Sequence, residues 1–214
     1  MHIPDGLLPA QICVGGYAIA SGVTWYTLRQ IHQVTDPPEE IPKAALLAAT
    51  FFVGSAISFP VPPASVHLVL NGLLGALLGW YAWPAILIGL VLQAILLGHG
   101  GLTTLGIHAV MMGVPALIAA QIFQLRHQLG HSLKPTWSVG IFAFLAGSVG
   151  LALAAVIFFG LLIFTIPATL DQATEQAALM ALLLAHIPLV FVEGIFTMLL
   201  SLFLLRVKPE LLES

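Results

Sequence analysis

The residues best placed to do chemistry are the first two, Met1 and His2. A histidine at position 2 can join three nitrogens on one metal ion: the terminal amine, the backbone nitrogen of His2 and the imidazole Nδ1. The amine and amide nitrogens close a five-membered ring, and the amide nitrogen and Nδ1 close a six-membered one. The three lie in a plane with one corner open. Planar nitrogen ligation suits Ni(II) or Cu(II) rather than Mg, Ca or structural Zn. The plainer role for His2 is that of an ordinary residue in a frayed tail. Initiator methionine is removed mainly before small residues, so the bulk of His2 predicts that Met1 keeps its amine.

The open corner needs one more donor, and the chain offers several histidines. His67 stands in Ser65-Val66-His67-Leu68-Val69-Leu70-Asn71-Gly72 and is the natural candidate, because polar residues in apolar segments are costly and tend to be functional. Its plainer role is an interfacial histidine bonded to a carbonyl. Asn71, one helical turn on, could orient the His67 ring as partners of metal ligands do, or bridge to another helix. His99, in Gly98-His99-Gly100-Gly101, could support the site or bind the ion. Thr103 and Thr104 read as caps or interhelical hydrogen bonders. His108 reads as a packing histidine before a ligand. Asp5 could stabilise a positive site electrostatically or cap the first helix. His186 and Glu193 are seven residues apart and share a helix face; a buried hydrogen bond to another helix is the plainer alternative to an ion path. His32, His127 and His131 read as solvated.

These residues sit in a chain that is 59% hydrophobic and 7% charged over 214 residues. Soluble domains carry about 25% charged residues, so an all-α integral membrane protein is predicted, organised as one transmembrane domain over 1–214. Long apolar runs argue for helices over an outer-membrane barrel. The single cysteine, Cys13, has no internal disulfide partner and reads as packing filler. With no basic residue before Arg29, the first run does not read as a signal peptide. Seven spans are predicted, near 7–31, 43–59, 66–80, 84–98, 102–125, 137–164 and 177–205. The linker 36–42 carries three prolines, Pro60-Val61-Pro62-Pro63 stops the second span, and Ser65 is a candidate N-cap for the third. The third and fourth spans are shorter than the roughly 20 residues a lone crossing needs.

Arg29, Lys43, Arg126, Lys134, Arg206 and Lys208 all fall on one side of such a bundle, which the positive-inside rule makes cytoplasmic. The N-terminus is then outside, with His67 and His99 at the same face, and the C-terminus is cytoplasmic. The chain has no G-x-x-x-x-G-K-[ST] phosphate loop and no H-E-x-x-H pair. One cysteine cannot build a multi-thiolate metal path.

Met1-His2-Ile3-Pro4-Asp5-Gly6, Ser65 to Leu73, and Gln93-Ala94 through Gly98-His99-Gly100-Gly101-Leu102-Thr103-Thr104-Leu105-Gly106 together resemble the NikM/CbiM family. These are substrate-specific (S) components of energy-coupling-factor (ECF) transporters for nickel and cobalt. The resemblance covers nearly the whole chain. It implies a six-helix S-component core over about 43–205, with an extra N-terminal helix that delivers the terminus into a pocket. It implies ion binding by the Met1 amine, the His2 amide and imidazole, and the His67 imidazole, with His99, Asn71 and Asp5 in supporting positions. It implies no catalysis by this chain. The partners would be a transmembrane coupling protein (T component), a pair of cytoplasmic ATPases (A components), often a small accessory membrane protein, and the bilayer of a prokaryotic inner membrane, with no nucleic acid. The Leu-Asn-Gly after His67 is closer to the nickel branch than to the cobalt one, which supplies cobalamin synthesis. At His108 relatives tend to carry Asn. Two other classes remain: a stand-alone metal secondary transporter or channel using His186 and Glu193, and a membrane metalloenzyme using His67, His99 and His108.

Overall fold

A computed structural model describes residues 2–33, 37–56, 58–61, 64–165 and 171–212. Met1 and the His67 side chain, both in the expected ligand set, lie outside what is described. The order is α1 (Ala10–Ile31), α2 (Pro37–Ala56), β1 (Ser58–Val61), β2 (Ala64–His67), α3 (Asn71–Leu78), α4 (Ala82–Leu92), α5 (Leu105–Gln124), α6 (Arg126–Leu129), α7 (Pro135–Phe164) and α8 (Gln172–Val207). A 3-10 turn (Gly79–Tyr81) joins α3 to α4, a π turn (Gln93–Leu97) ends α4, and a 3-10 turn (Pro209–Leu212) follows α8. Among the described residues, four helical runs are long and apolar enough to cross a bilayer: Asn71–Leu97, Leu105–Leu129, Pro135–Phe164 and Gln172–Val207.

The first of these runs doubles back on itself. Gly79 has φ 54° and ψ −122°, a conformation that only glycine adopts readily, and it breaks the helix direction. Asn71 bonds to the Met112 carbonyl and Gly75 abuts Ala116, so α3 runs parallel to α5. Trp83 then abuts Gly113 while Gly100 abuts His108, so α4 returns the other way. The two short segments expected from the sequence are therefore a helical hairpin. α3 is buried along its whole length. A Cβ on Gly72 would fall 2.4 Å from the Ala146 carbonyl oxygen, and one on Gly75 2.0 Å from that of Ala116. Small residues let α3 touch the backbones of α5 and α7 directly, as close packing in lipid requires.

Three expectations need correction. Besides the helices there is one short ribbon, in which β1 and β2 pair antiparallel in the register Ser58↔His67 to Val61↔Ala64. The proline after Val61 disfavours helix at that residue and favours extended backbone, and Val61 and Val66 favour strand. Ser65 therefore lies in β2 and is not an N-cap, and Asn71 is not one helical turn from His67. Finally, α2 begins at Pro37, not near Lys43. Proline is tolerated in the first turn, where the missing N–H has no partner to lose, and a Glu40–Lys43 ion pair at 3.1 Å braces the start.

α3 has its cap supplied from far along the chain. Glu193 of α8, 1% exposed, accepts hydrogen bonds from the backbone N–H groups of Val69 and Leu70. Leu70 sits at φ 56°, the left-handed region. The carboxyl group thus satisfies two buried N–H groups just ahead of the helix and holds the turn that leads away from His67. The bundle's opposite end is closed by Arg126, buried, which donates to the carbonyls of Phe123 and Leu212.

Candidate metal centre

The residues before α1 form an arm stitched into the bundle. Ile3 is fully buried among Leu8, Cys13, Met111, Ala155, Phe158 and Phe159. Its N–H donates to Nε2 of His108 at 2.8 Å, and its carbonyl accepts from the Thr104 hydroxyl at 2.8 Å. Two residues on, Oδ1 of Asp5 accepts from the Thr103 N–H at 2.9 Å and from the Thr103 hydroxyl. Those bonds favour the ionised carboxyl, and the Thr103 hydroxyl most of all holds the Asp5 pKa below the usual carboxylate value. Farther along, the Tyr17 hydroxyl donates to the Leu102 carbonyl, and Gly16 and Gly106 bring α1 and α5 into backbone contact.

This stitching puts His2 among two other imidazoles. Its ring stacks on His99 with centroids 5.1 Å apart and planes 27° apart, and it lies 5.8 Å from His108. The rings lie beside one another. Among the described residues no three His, Cys, Asp or Glu side chains converge to hold an ion. His108 spends its Nε2 lone pair on Ile3. That bond also holds the Ile3 amide proton in place, so the Ile3 nitrogen is committed to His108.

The other candidates fall as follows. His67 ends β2, opposite Ser58. Asn71 is committed between helices: its amide donates to the carbonyls of Met112 and Gly150, and its oxygen accepts from Gly72 N–H. His186 bonds to the Leu182 carbonyl through Nδ1 at 2.8 Å and meets Phe159 edge to face, while Glu193 caps α3. Each of these two is bound locally, and neither bonds to the other. What the residues alone did not reveal is the anchoring role of Thr103, Thr104 and His108. The available signal was the pairing of a short polar arm with a Gly-Gly-x-Thr-Thr loop.

The fit is close at Gly101, where a Cβ would lie 1.9 Å from Oδ1 of Asp5. Gly101→Ala should push the arm off its seat. Hydrogen–deuterium exchange should then show faster exchange of the Ile3 amide. Unchanged protection of that amide would mean that Asp5 does not seat the arm.

The model of the family described as the cobalt uptake substrate-specific transmembrane region, CbiM, matches residues 2–211. A Haemophilus influenzae protein named for metal transport is 36% identical over 214 residues, covering 99% of this chain and 97% of its own. The fused nickel transport protein NikMN of Rhodobacter capsulatus is 34% identical over 128 residues, 58% of this chain and 37% of its own. A crystal structure of a truncated transition metal transporter superposes with a TM-score of 0.74, at 24% identity, covering 97% of this chain and 99% of that one, and so shares the fold. The N-terminal arm, the helical bundle and the matched model together show that this chain belongs to the CbiM family of transition-metal transport membrane proteins.

Proposed function

We propose that the chain is the metal-capturing S component of an ECF-type importer, with Ni(II) as its first cargo and Co(II) as its second. The ion would be held in a plane by the Met1 amine, the His2 amide nitrogen and Nδ1, and an imidazole nitrogen of His67. The observation that carries this is the double anchoring of Ile3 by His108 and Thr104. It fixes the backbone immediately after His2 inside the bundle and commits the next amide elsewhere. His99 supports the His2 ring from its flank.

In this reading the seven helices α1–α5, α7 and α8 are transmembrane, with the short α3 and α4 held inside the bundle by the longer ones, and α1 is the helix added to a six-helix core. α1, α5 and α8 end, and α2 and α7 begin, at the end of the bundle that carries all six basic residues. That end is cytoplasmic by the positive-inside rule, in the inner membrane of a prokaryote, and the arm then opens outward. The chain hydrolyses nothing. An ATPase pair coupled through a transmembrane T component, with or without a small accessory protein, supplies the energy for release. Nickel is placed first because a four-nitrogen plane suits its preferred geometry. Cobalt follows because the matched family model is described by cobalt uptake.

Titration calorimetry of the purified chain with Ni(II), Co(II) and Zn(II) tests the reading. Nickel should bind one to one and most tightly, with the absorption of a planar spin-paired ion. His67→Ala should weaken it about a hundredfold, the worth of one planar nitrogen ligand at about 1.4 kcal/mol per decade. Stoichiometric tight binding by that variant would remove His67 from the ligand set. A free α-amine has a pKa of about 7.7–8.0, and ligands must shed their protons. Binding should therefore weaken as pH falls below 7, by at least tenfold per unit. A flat profile from pH 8 to 6 would argue against amine ligation.

A further inference from the structure

Gln93 is fully buried, and among the described residues neither the oxygen nor the nitrogen of its side-chain amide has a hydrogen-bond partner. Buried amides are otherwise nearly always satisfied, because desolvating them without a partner is costly. An apolar residue of the same size would be the better choice for packing alone. The amide is therefore held for something that arrives later.

Its position says what that is. Gln93 opens the π turn at the end of α4, and single π turns recur at functional sites. Its carbonyl accepts the N–H groups of Gly98 and His99, the latter at 3.1 Å, so the residue is tied to the histidine that stacks on His2. Along α4 it continues the buried row of Ile86 and Gly89. Gly89 abuts Phe51 of α2. Three residues beyond Phe51 on α2, Gly54 abuts Leu70, in the turn that follows His67. Gln93 thus stands inside the bundle, one turn beyond the Gly89–Phe51 contact, on the element that leads directly to His99 and so to the ring stacked on His2.

We propose that the Gln93 amide is part of the cargo site and hydrogen-bonds the ligand set of the bound ion; this rests on the metal-capture reading above. The chemistry matches. When the ion binds, the His2 amide nitrogen gives up its proton to water, and the resulting negative charge spreads onto the Met1 carbonyl oxygen. The metal-bound amine keeps N–H groups that need an acceptor. A neutral amide supplies both halves, Nε2 donating to the charged oxygen and Oε1 accepting from the amine. It stabilises the deprotonated chelate without adding a charge that would attract any divalent ion without discrimination. Gln93 is in this sense a positioning and selectivity residue.

The experiment uses the full chain with a native N-terminus, and compares Gln93→Leu and Gln93→Met with the parent by two readouts. Without metal, the thermal midpoint in detergent should stay the same or rise, because an unpaired amide has been removed. With nickel, affinity should fall at least tenfold, and the pH at which binding is half-lost should move upward. Variants that bind nickel as tightly as the parent overturn the inference and leave the metal reading intact. Midpoints that fall in step with affinity also overturn it, since the amide would then be structural. A parent chain that binds no nickel overturns the metal reading and this inference with it.

Discussion

A chain carrying two extra residues before Met1, or one acetylated at its amine, is expected to bind nickel about a hundred- to a thousandfold more weakly than the native chain. In the proposed site the amine would be one of four nitrogens, and the loss of one ligand from a set worth about 10–16 kcal/mol would account for roughly 3–4 kcal/mol. The protein cannot compensate by sliding the arm. Ile3 is fixed at its N–H and its carbonyl, and Asp5 is fixed to Thr103. A single added glycine is a separate and more informative case. It moves the histidine to third place, where the amine, two amides and the imidazole fill a plane unaided. Binding in that chain should persist and lose its dependence on His67. Isothermal titration of the four chains, native and extended, each with and without His67→Ala, resolves these outcomes. Tight, His67-dependent binding by the acetylated chain would end the amine model.

The second large effect is expected at Glu193. Glu193→Ala removes the acceptor for two buried N–H groups, those of Val69 and Leu70. Each unsatisfied donor costs about 1–3 kcal/mol, so the folded state should lose about 2–6 kcal/mol. For a chain of this size that is a fall of roughly 10 °C in the thermal midpoint. Glu193→Gln keeps one acceptor oxygen but turns an N–H₂ toward the second donor, and it should fall between the two. Nickel affinity should drop with Glu193→Ala as well, because the turn at Leu70 sets where β2 delivers His67. A midpoint within 2 °C of the parent would show that water or the turn itself satisfies these donors.

What the residues made legible and what they concealed divide along sequence distance. The helical membrane class follows from a chain with 7% charge. α1 differs from its expected span by three residues at one end, because its limits are set locally by Pro9 and the polar residues after Ile31. The chelating potential of Met1-His2 is also local, being a matter of ring sizes between adjacent residues. The start of α3 was not legible. Its capping group lies 123 residues away, on α8, and without it Ser65 is the best cap in view. The arm's seat was hidden for the same reason: Ile3 and His108 are 105 residues apart. The beginning of α2 was obscured by a different effect, since three prolines read as a linker unless the helix is known to begin on the first.

The anchoring of Ile3 has one more consequence. Met1 and His2 hang from that residue on a leash that spans at most about 7 Å when fully stretched. Most of the ordering entropy that a free peptide would lose on wrapping an ion is already lost when the chain folds. In this account the tether fixes how tightly an ion is held, and the shape of the coordination plane decides which ion it is.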